Sequence, residues 1–110
     1  MTTTLLQQRD AARRARRIAL YEQTRSELRA ALRELLPNES IIVFGSLTRR
    51  GSFNDASDLD LALSEEPRAI SASQLMVQLA ERLERPVDVV LLPACRFRDK
   101  ILREGELWTT

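Results

Sequence analysis

Two aspartates stand side by side in a short apolar segment, where carboxylates are normally avoided. Asp58 and Asp60 flank Leu59 at the start of the sequence DLDLAL. Side chains two residues apart on a strand point to the same face of a sheet, so Asp58 and Asp60 are predicted to project together. Two such carboxylates repel each other unless a cation lies between them. The simpler alternative is the solvent face of a half-buried strand whose leucines point inward.

A third aspartate favours the chemical interpretation. Asp88 interrupts the apolar run VDVVLL, where an unpaired carboxylate is costly. If this strand lies beside the first, Asp58, Asp60 and Asp88 converge. Three carboxylates without a histidine predict a site for two divalent cations, typically ~3.5–4 Å apart, that promotes phosphoryl or nucleotidyl transfer. Oxygen ligands favour Mg²⁺, with Mn²⁺ as the other possibility.

A glycine and a serine follow the apolar segment IIVF that precedes these acids. A strand that passes through glycine into a helix N-terminus presents backbone N–H groups to an anion. Gly45 would let a phosphate approach the backbone, and Ser46 would add a hydroxyl donor and act as the N-cap of a short helix. Gly51 is suited to the left-handed residue that ends this helix. The segment therefore predicts a phosphate cradle.

These pieces occur in an order that resembles a known family. GSLTRRGSFNDASDLDL followed by VDVVLL resembles the minimal nucleotidyltransferases of the DNA polymerase β-like superfamily. The resemblance implies that Gly45 and Ser46 bind a nucleoside triphosphate and that Asp58 and Asp60 ligate two Mg²⁺ ions. It also implies that Asp88 ligates the catalytic ion and helps to deprotonate the acceptor hydroxyl.

The resemblance covers roughly residues 41–108 and departs from the family at one point. The spacer between Ser46 and Asp58 is one residue longer than the commonest family pattern. Arg49 or Arg50 corresponds to the family's arginine–glycine step, which implies a contact with phosphate. A solvated arginine at a helix end is the alternative for either residue.

The elements that must position these residues alternate between helices and strands, which predicts an α/β or α+β fold with a small mixed sheet of three to four strands. The predicted elements are a helix over 5–36, a central strand over 41–44, a strand over 58–63, a helix from Ser71 to about Arg85, a strand over 86–92, a short helix over 96–103 and an edge strand over 105–108. We expect one compact domain, with an arginine-rich helix at 1–37 and a minimal nucleotidyltransferase unit at 38–110.

The first helix combines an apolar stripe with an excess of arginine. The stripe consists of Ile18, Tyr21, Leu28, Leu32 and Leu35, at helical spacing. Residues 1–36 carry eight arginines against four acidic residues. This charge predicts either a solvated face or a docking surface for an acidic partner.

Composition excludes several classes of site. The chain has no histidine, which rules out Ser-His-Asp and Cys-His catalysis and histidine-ligated metals. Cys95 is the single cysteine, so a reducing cytoplasm fits best, and we interpret it as a small apolar side chain. Trp108 is interpreted as packing at the sheet edge. A net charge of +1 and the lack of a long apolar run predict neither membrane association nor direct nucleic-acid binding.

The resemblance also implies an activity and a partner. Stand-alone members of this kind are similar to the antitoxins of HEPN/MNT toxin–antitoxin systems, which implies transfer of AMP from ATP to a tyrosine of a cognate HEPN ribonuclease toxin. Two alternatives stay open. One is a non-catalytic antitoxin that neutralises a toxin by binding it. The other is a nucleotidyltransferase that acts on a small molecule or nucleic acid within a larger complex.

Overall fold

The computed structural model describes residues 4–110 as alternating helices and strands. The helices are α1 (Leu5–Leu35), α2 (Ala72–Leu83) and α3 (Arg98–Glu104), and the strands are β1 (Ser40–Phe44), β2 (Leu59–Leu63), β3 (Val87–Leu91) and β4 (Glu106–Thr109). Short 3₁₀ turns follow β1 at Gly45–Thr48 and β3 at Leu92–Ala94. Each predicted element is present, with ends that differ by at most two residues.

The four strands form one mixed sheet in the order β3-β2-β1-β4. Strand β1 pairs antiparallel with β2 and with β4, whereas β2 and β3 run parallel. The predicted α/β fold, the central position of β1 and the edge position of β4 are confirmed. Strand β3 forms the other edge of the sheet, so its residues are closer to solvent than those of a central strand.

The sheet separates a large core from a small one. Alternate residues of β1 and β2 pack with α1 and α2 on one face, and the fully buried side chains there include Leu28, Leu32, Ile41, Val43, Leu59, Leu61, Leu75 and Leu79. Burial of each such side chain contributes roughly 1.5–3 kcal/mol. On the opposite face, Ala62 packs with Ile101 of α3. Because Leu59 and Leu61 face the large core, Asp60 between them must face α3.

Helix α2 begins with the capping box that its sequence predicts. The Ser71 hydroxyl accepts a hydrogen bond from the Gln74 amide at 3.1 Å, and the Gln74 side chain accepts one from the Ser71 amide at 3.2 Å. The helix ends at Leu83 rather than near residue 85, because Glu84 adopts a left-handed conformation with φ 52°. A second capping box, between Thr4 and Gln7, begins α1.

Helix α1 is anchored by its C-terminal half and projects at its N-terminus. Leu28 and Leu32 are fully buried, whereas residues 5–16 are exposed. At 1.5 Å per residue, α1 is about 46 Å long, and the described chain measures 57 × 28 × 20 Å. No helix within residues 4–110 is both long and apolar enough to span a membrane. The division into units 1–37 and 38–110 stays a prediction, and residues 1–3 lie outside the described part.

Arg25 joins α1 to the turn after β1 and to β4. Its guanidinium donates hydrogen bonds to Glu106 Oε2 at 2.7 Å and to the Leu47 carbonyl oxygen at 2.8 Å. It also lies 5.0 Å from the ring centroids of both Tyr21 and Trp108. Trp108 is 4% exposed, so its predicted packing role is confirmed. Arg25 therefore fixes the relative positions of three elements that are distant in sequence.

We expect Arg25→Ala to lower the free energy of unfolding by about 2 kcal/mol, since hydrogen bonds to charged groups typically contribute about 1.5–3 kcal/mol. Arg13→Ala, in the exposed part of the same helix, is the matched control and should change stability by less than about 0.5 kcal/mol. Urea denaturation followed by circular dichroism measures both. Equal stability of the two variants would contradict the anchoring role.

The effect of Arg25→Ala should also depend on pH. The hydrogen bond from Arg25 lowers the pKa of Glu106 from its ordinary value of 4.5. The stabilisation is therefore fully present above pH 4.5 and is lost as the pH falls through the lowered pKa of Glu106. Denaturation of wild type and variant between pH 7 and pH 3 should show their difference shrinking only at the acidic end.

Candidate functional site

The backbone of Gly45 lies against the carboxylate of Asp60. Strand β1 ends at Phe44, which is the antiparallel partner of Asp60. The next residue, Gly45, has φ +77°, and a Cβ atom at this position would lie 2.4 Å from Asp60 Oδ2. Only glycine allows both the left-handed conformation and this close approach. The sheet register thus brings the predicted phosphate cradle and a predicted metal ligand together.

The turn after β1 differs from its prediction in two respects. Ser46 is not the N-cap, because Phe44 occupies that position and makes no side-chain capping bond. Inside the four-residue turn, the Thr48 hydroxyl instead donates to the Gly45 carbonyl oxygen at 2.7 Å. The prediction of a left-handed Gly51 is also wrong, since the positive φ falls on Gly45, where the chain leaves the sheet.

The aspartates of β2 and β3 are neighbours across the parallel part of the sheet. Asp60 is the register partner of Asp88, so both side chains belong to the α3 face. Asp58 directly precedes β2, which begins at Leu59 rather than at residue 58. The apolar run around Asp88 predicts a carboxylate in apolar surroundings, and this prediction is wrong. Asp88 is exposed because β3 is an edge strand.

The three carboxylates interact electrostatically. Burial raises the pKa of Asp60, and the negative charges of Asp88 and Asp58 raise it further. Both the partial burial of Asp60 and the negative charges of Asp88 and Asp58 therefore disfavour its ionised form. A divalent cation would remove this cost, because it replaces repulsion between the carboxylates with attraction to a shared ion.

The three aspartates are of a type that binds Mg²⁺, although their carboxylates do not converge on one point. Within residues 4–110, no three acidic or cysteine side chains are grouped as a ready metal-ligand set. Asp60 is half-buried and Asp58 and Asp88 are exposed, so the two exposed carboxylates have room to turn toward a cation. Hard carboxylate oxygens are the ligands that Mg²⁺ prefers, and it keeps some of its waters when it binds.

A cleft of about 760 Å³ opens beside Gly45 on the α3 face of the sheet. Asp60 and Asp88 line it, together with Arg49. Arg50 does not line this cleft and instead forms an ion pair with Glu22 at 3.4 Å. Of the two candidate arginines, Arg49 is therefore the one placed to contact a ligand. Neither Ser46 nor Asp58 contributes to the lining of the cleft.

Sequence reasoning missed the residues that the rest of the fold brings to this cleft. Lys100 of α3 adds a second cation, Phe97 contributes a ring that is 66% exposed, and Thr48 lies at the turn. Helix α3 reaches the site because Gly105 lets its C-terminal end approach β1. A Cβ atom on Gly105 would lie 2.5 Å from Ile42 Cγ2. A glycine directly after the helix segment RDKILRE was the available sequence signal for this tight return.

Adding one methyl group at Gly45 tests the cradle directly. Gly45→Ala should lower the free energy of unfolding by at least about 1 kcal/mol, the usual cost of a left-handed residue with a Cβ atom. It should also weaken binding of Mg²⁺ with a non-hydrolysable ATP analogue, because the Asp60 carboxylate must move. Isothermal titration calorimetry and thermal unfolding measure the two effects.

Gly51→Ala provides the matched control. A Cβ atom on Gly51 would meet no atom within 4 Å, and its φ is not positive. We expect unchanged nucleotide binding and an equal or slightly higher stability, because alanine reduces the freedom of the unfolded chain. If Gly45→Ala behaved like Gly51→Ala in both measurements, the close approach at Gly45 would have no role in binding.

Comparison with solved structures finds several chains of the same fold. One is a proposed minimal nucleotidyltransferase, 32% identical, with a TM-score of 0.60 over 78% of this chain and 93% of that one. A chain of a toxin–antitoxin complex crystallised with AMP-PNP is 26% identical, with a TM-score of 0.58 over 77% and 73%. A chain of the MntA–HepT toxin–antitoxin complex, at 23% identity and a TM-score of 0.55 over 81% and 73%, shares the fold.

Comparison at the level of sequence gives the family. No curated protein matches the chain. The family model for polymerase beta nucleotidyltransferases matches residues 26–109, which include the last third of α1, the whole sheet and every residue predicted for the site. The chain therefore belongs to the polymerase beta nucleotidyltransferase family.

Proposed function

We propose that this protein is a Mg²⁺-dependent antitoxin that transfers AMP from ATP to a tyrosine hydroxyl of a cognate HEPN ribonuclease toxin. The observation that carries nucleotidyl transfer is the contact of Gly45 with Asp60, directly beside Asp88 in the sheet register. Likeness to a chain of a toxin–antitoxin complex crystallised with AMP-PNP supports both the nucleotide and the class of partner.

The cleft offers complementary groups for a nucleoside triphosphate. Arg49 and Lys100 line it and would bind phosphate oxygens, and Gly45 lines it next to the Asp60 carboxylate. The exposed ring of Phe97 provides a face on which a nucleobase would stack. These groups would orient the α-phosphorus toward the aspartates.

The aspartates would hold the metal and accept the proton. Asp58, Asp60 and Asp88 would be the ligands of Mg²⁺, which, when bound, supplies neutralisation of phosphate charge and lowers the pKa of the attacking hydroxyl. The tyrosine oxygen forms a bond to the α-phosphorus, and the bond from that phosphorus to the oxygen bridging to the β-phosphate breaks. Pyrophosphate leaves, and the hydroxyl proton passes to the Asp88 carboxylate and then to water.

A mass measurement tests the proposed reaction. The protein is incubated with the product of its neighbouring gene, ATP and Mg²⁺, and the intact mass of that partner is recorded. We expect a gain of one or more AMP units, mapped to tyrosine by peptide mass spectrometry, and no gain with Asp60→Ala or with EDTA. Asp55→Ala, in the exposed turn before β2, is the matched control and should transfer AMP normally.

The possible failures separate the alternatives. A partner that is bound and inhibited without any gain of mass would identify an antitoxin that acts by binding alone. AMP transfer to RNA or to a small molecule, with the partner protein unchanged, would identify a different acceptor. An equal gain of mass with wild type and Asp60→Ala would contradict the role of the aspartates. Circular dichroism of Asp60→Ala must match wild type, so that lost activity does not reflect lost folding.

A further inference from the structure

The first turns of α1, residues 5–17, form a segment that lies outside the core. Residues 5–16 are exposed, and the members of the large core that α1 contributes begin at Leu20. The segment is helical from its capping box at Thr4 and is continuous with the anchored half of α1. Isolated helices of this length are marginal in water, so the anchored half maintains its direction.

The charge of this projecting segment is strongly one-sided. Residues 5–17 carry five arginines and one acidic residue, Asp10. Arg9, Arg13 and Arg16 recur at spacings of four and three residues, which places them on one face of the helix. Like charges at these spacings destabilise a helix unless an opposite charge lies across from them. An acidic surface laid along this face would remove the repulsion.

The projecting segment leaves the domain beside the candidate active site. Glu22, little more than one turn after the segment ends, forms an ion pair with Arg50, and Arg50 follows Arg49 at the cleft. Arg25, one turn further along, donates to the Leu47 carbonyl oxygen in the turn that contains Gly45. A partner that lies along the segment therefore reaches the end of the sheet where the turn of Gly45 lies.

We infer that residues 5–17 dock an acidic protein surface of the partner that presents its acceptor hydroxyl to the cleft. The identity of that partner rests on the proposed function, whereas its acidic character rests on the arginine face. A protein fits better than a nucleic acid. The whole chain has a net charge of only +1, and a phosphate backbone that followed the helix to the cleft would meet the exposed carboxylates of Asp58 and Asp88.

Charge reversal tests this docking surface with a control of equal net charge. The triple variant R9E/R13E/R16E reverses the arginine face. The control R33E/R68E/R103E reverses three exposed arginines elsewhere on the molecule. The dissociation constant of each variant for the product of the neighbouring gene is measured by biolayer interferometry at several salt concentrations. Binding of Mg²⁺ and an ATP analogue is measured in parallel.

We expect R9E/R13E/R16E to weaken partner binding at low salt by about tenfold or more and to reduce its salt dependence, while the control stays close to wild type. Nucleotide binding should be unchanged in both variants, since neither touches the cleft. Partner binding that is equal in the two variants would overturn the inference. So would charge-sensitive binding of a structured RNA in place of the partner protein.

The two proposals fail in distinguishable ways. If the partner binds through the arginine face but gains no AMP, the docking surface stands and the proposed transfer is wrong. If AMP is transferred equally well by R9E/R13E/R16E and by wild type at limiting partner concentration, the transfer stands and the docking surface is wrong.

Discussion

The contact between the Asp60 carboxylate and the Gly45 backbone is the constraint on which the candidate site depends. It follows from the alternation of side chains along β2. Leu59 and Leu61 are fully buried in the large core, and Asp60 between them therefore points to the opposite face of the sheet, toward α3. Antiparallel pairing with β1 then sets Asp60 opposite Phe44, directly before the turn at Gly45. Core packing and site geometry are thus two consequences of one register.

The same register makes the carboxylates repel. Asp88 is fixed beside Asp60 by parallel pairing, and the raised pKa of Asp60 reflects both its burial and its neighbours. Natural proteins keep such costly groups mainly at functional sites, where a ligand compensates for them. The folded chain therefore gives up some stability to keep this geometry, with Asp60 beside Asp88. Arg25 supports that geometry from the other side, through the Leu47 carbonyl oxygen.

Local patterns predicted much of this fold. The strand alternation of DLDLAL and the capping box of Ser71 and Gln74 each depend on neighbours in sequence, and the structure confirms the elements they predict. The acids and Gly45 were found because their residue types are unusual in apolar segments. The predictions for Ser46 as N-cap and for Gly51 as a left-handed residue were wrong, because the geometry of this turn depends on where the chain leaves the sheet.

Contacts between segments that are distant in sequence could not be predicted from local sequence patterns. Lys100 lines the cleft because α3 folds back onto β1. Arg49 lines the cleft as well, whereas Arg50 forms an ion pair with Glu22. The Arg25 guanidinium contacts the rings of both Tyr21 and Trp108, which are more than eighty positions apart in the chain. The exposure of Asp88 likewise depends on β3 being an edge strand, which no local signal specifies.

The stability of Asp60→Asn tests whether the neighbouring aspartates destabilise the folded chain and bind a metal ion. Thermal unfolding is compared with wild type at neutral pH, with and without Mg²⁺, and Asp55→Asn serves as the control. Without Mg²⁺, Asp60→Asn should be more stable than wild type, and the difference should narrow as the pH falls through the raised pKa of Asp60 toward the ordinary 3.8. Mg²⁺ should stabilise wild type and Asp55→Asn but not Asp60→Asn. A less stable Asp60→Asn, with an equal response of all three proteins to Mg²⁺, would show that Asp60 neither destabilises the fold nor binds the ion.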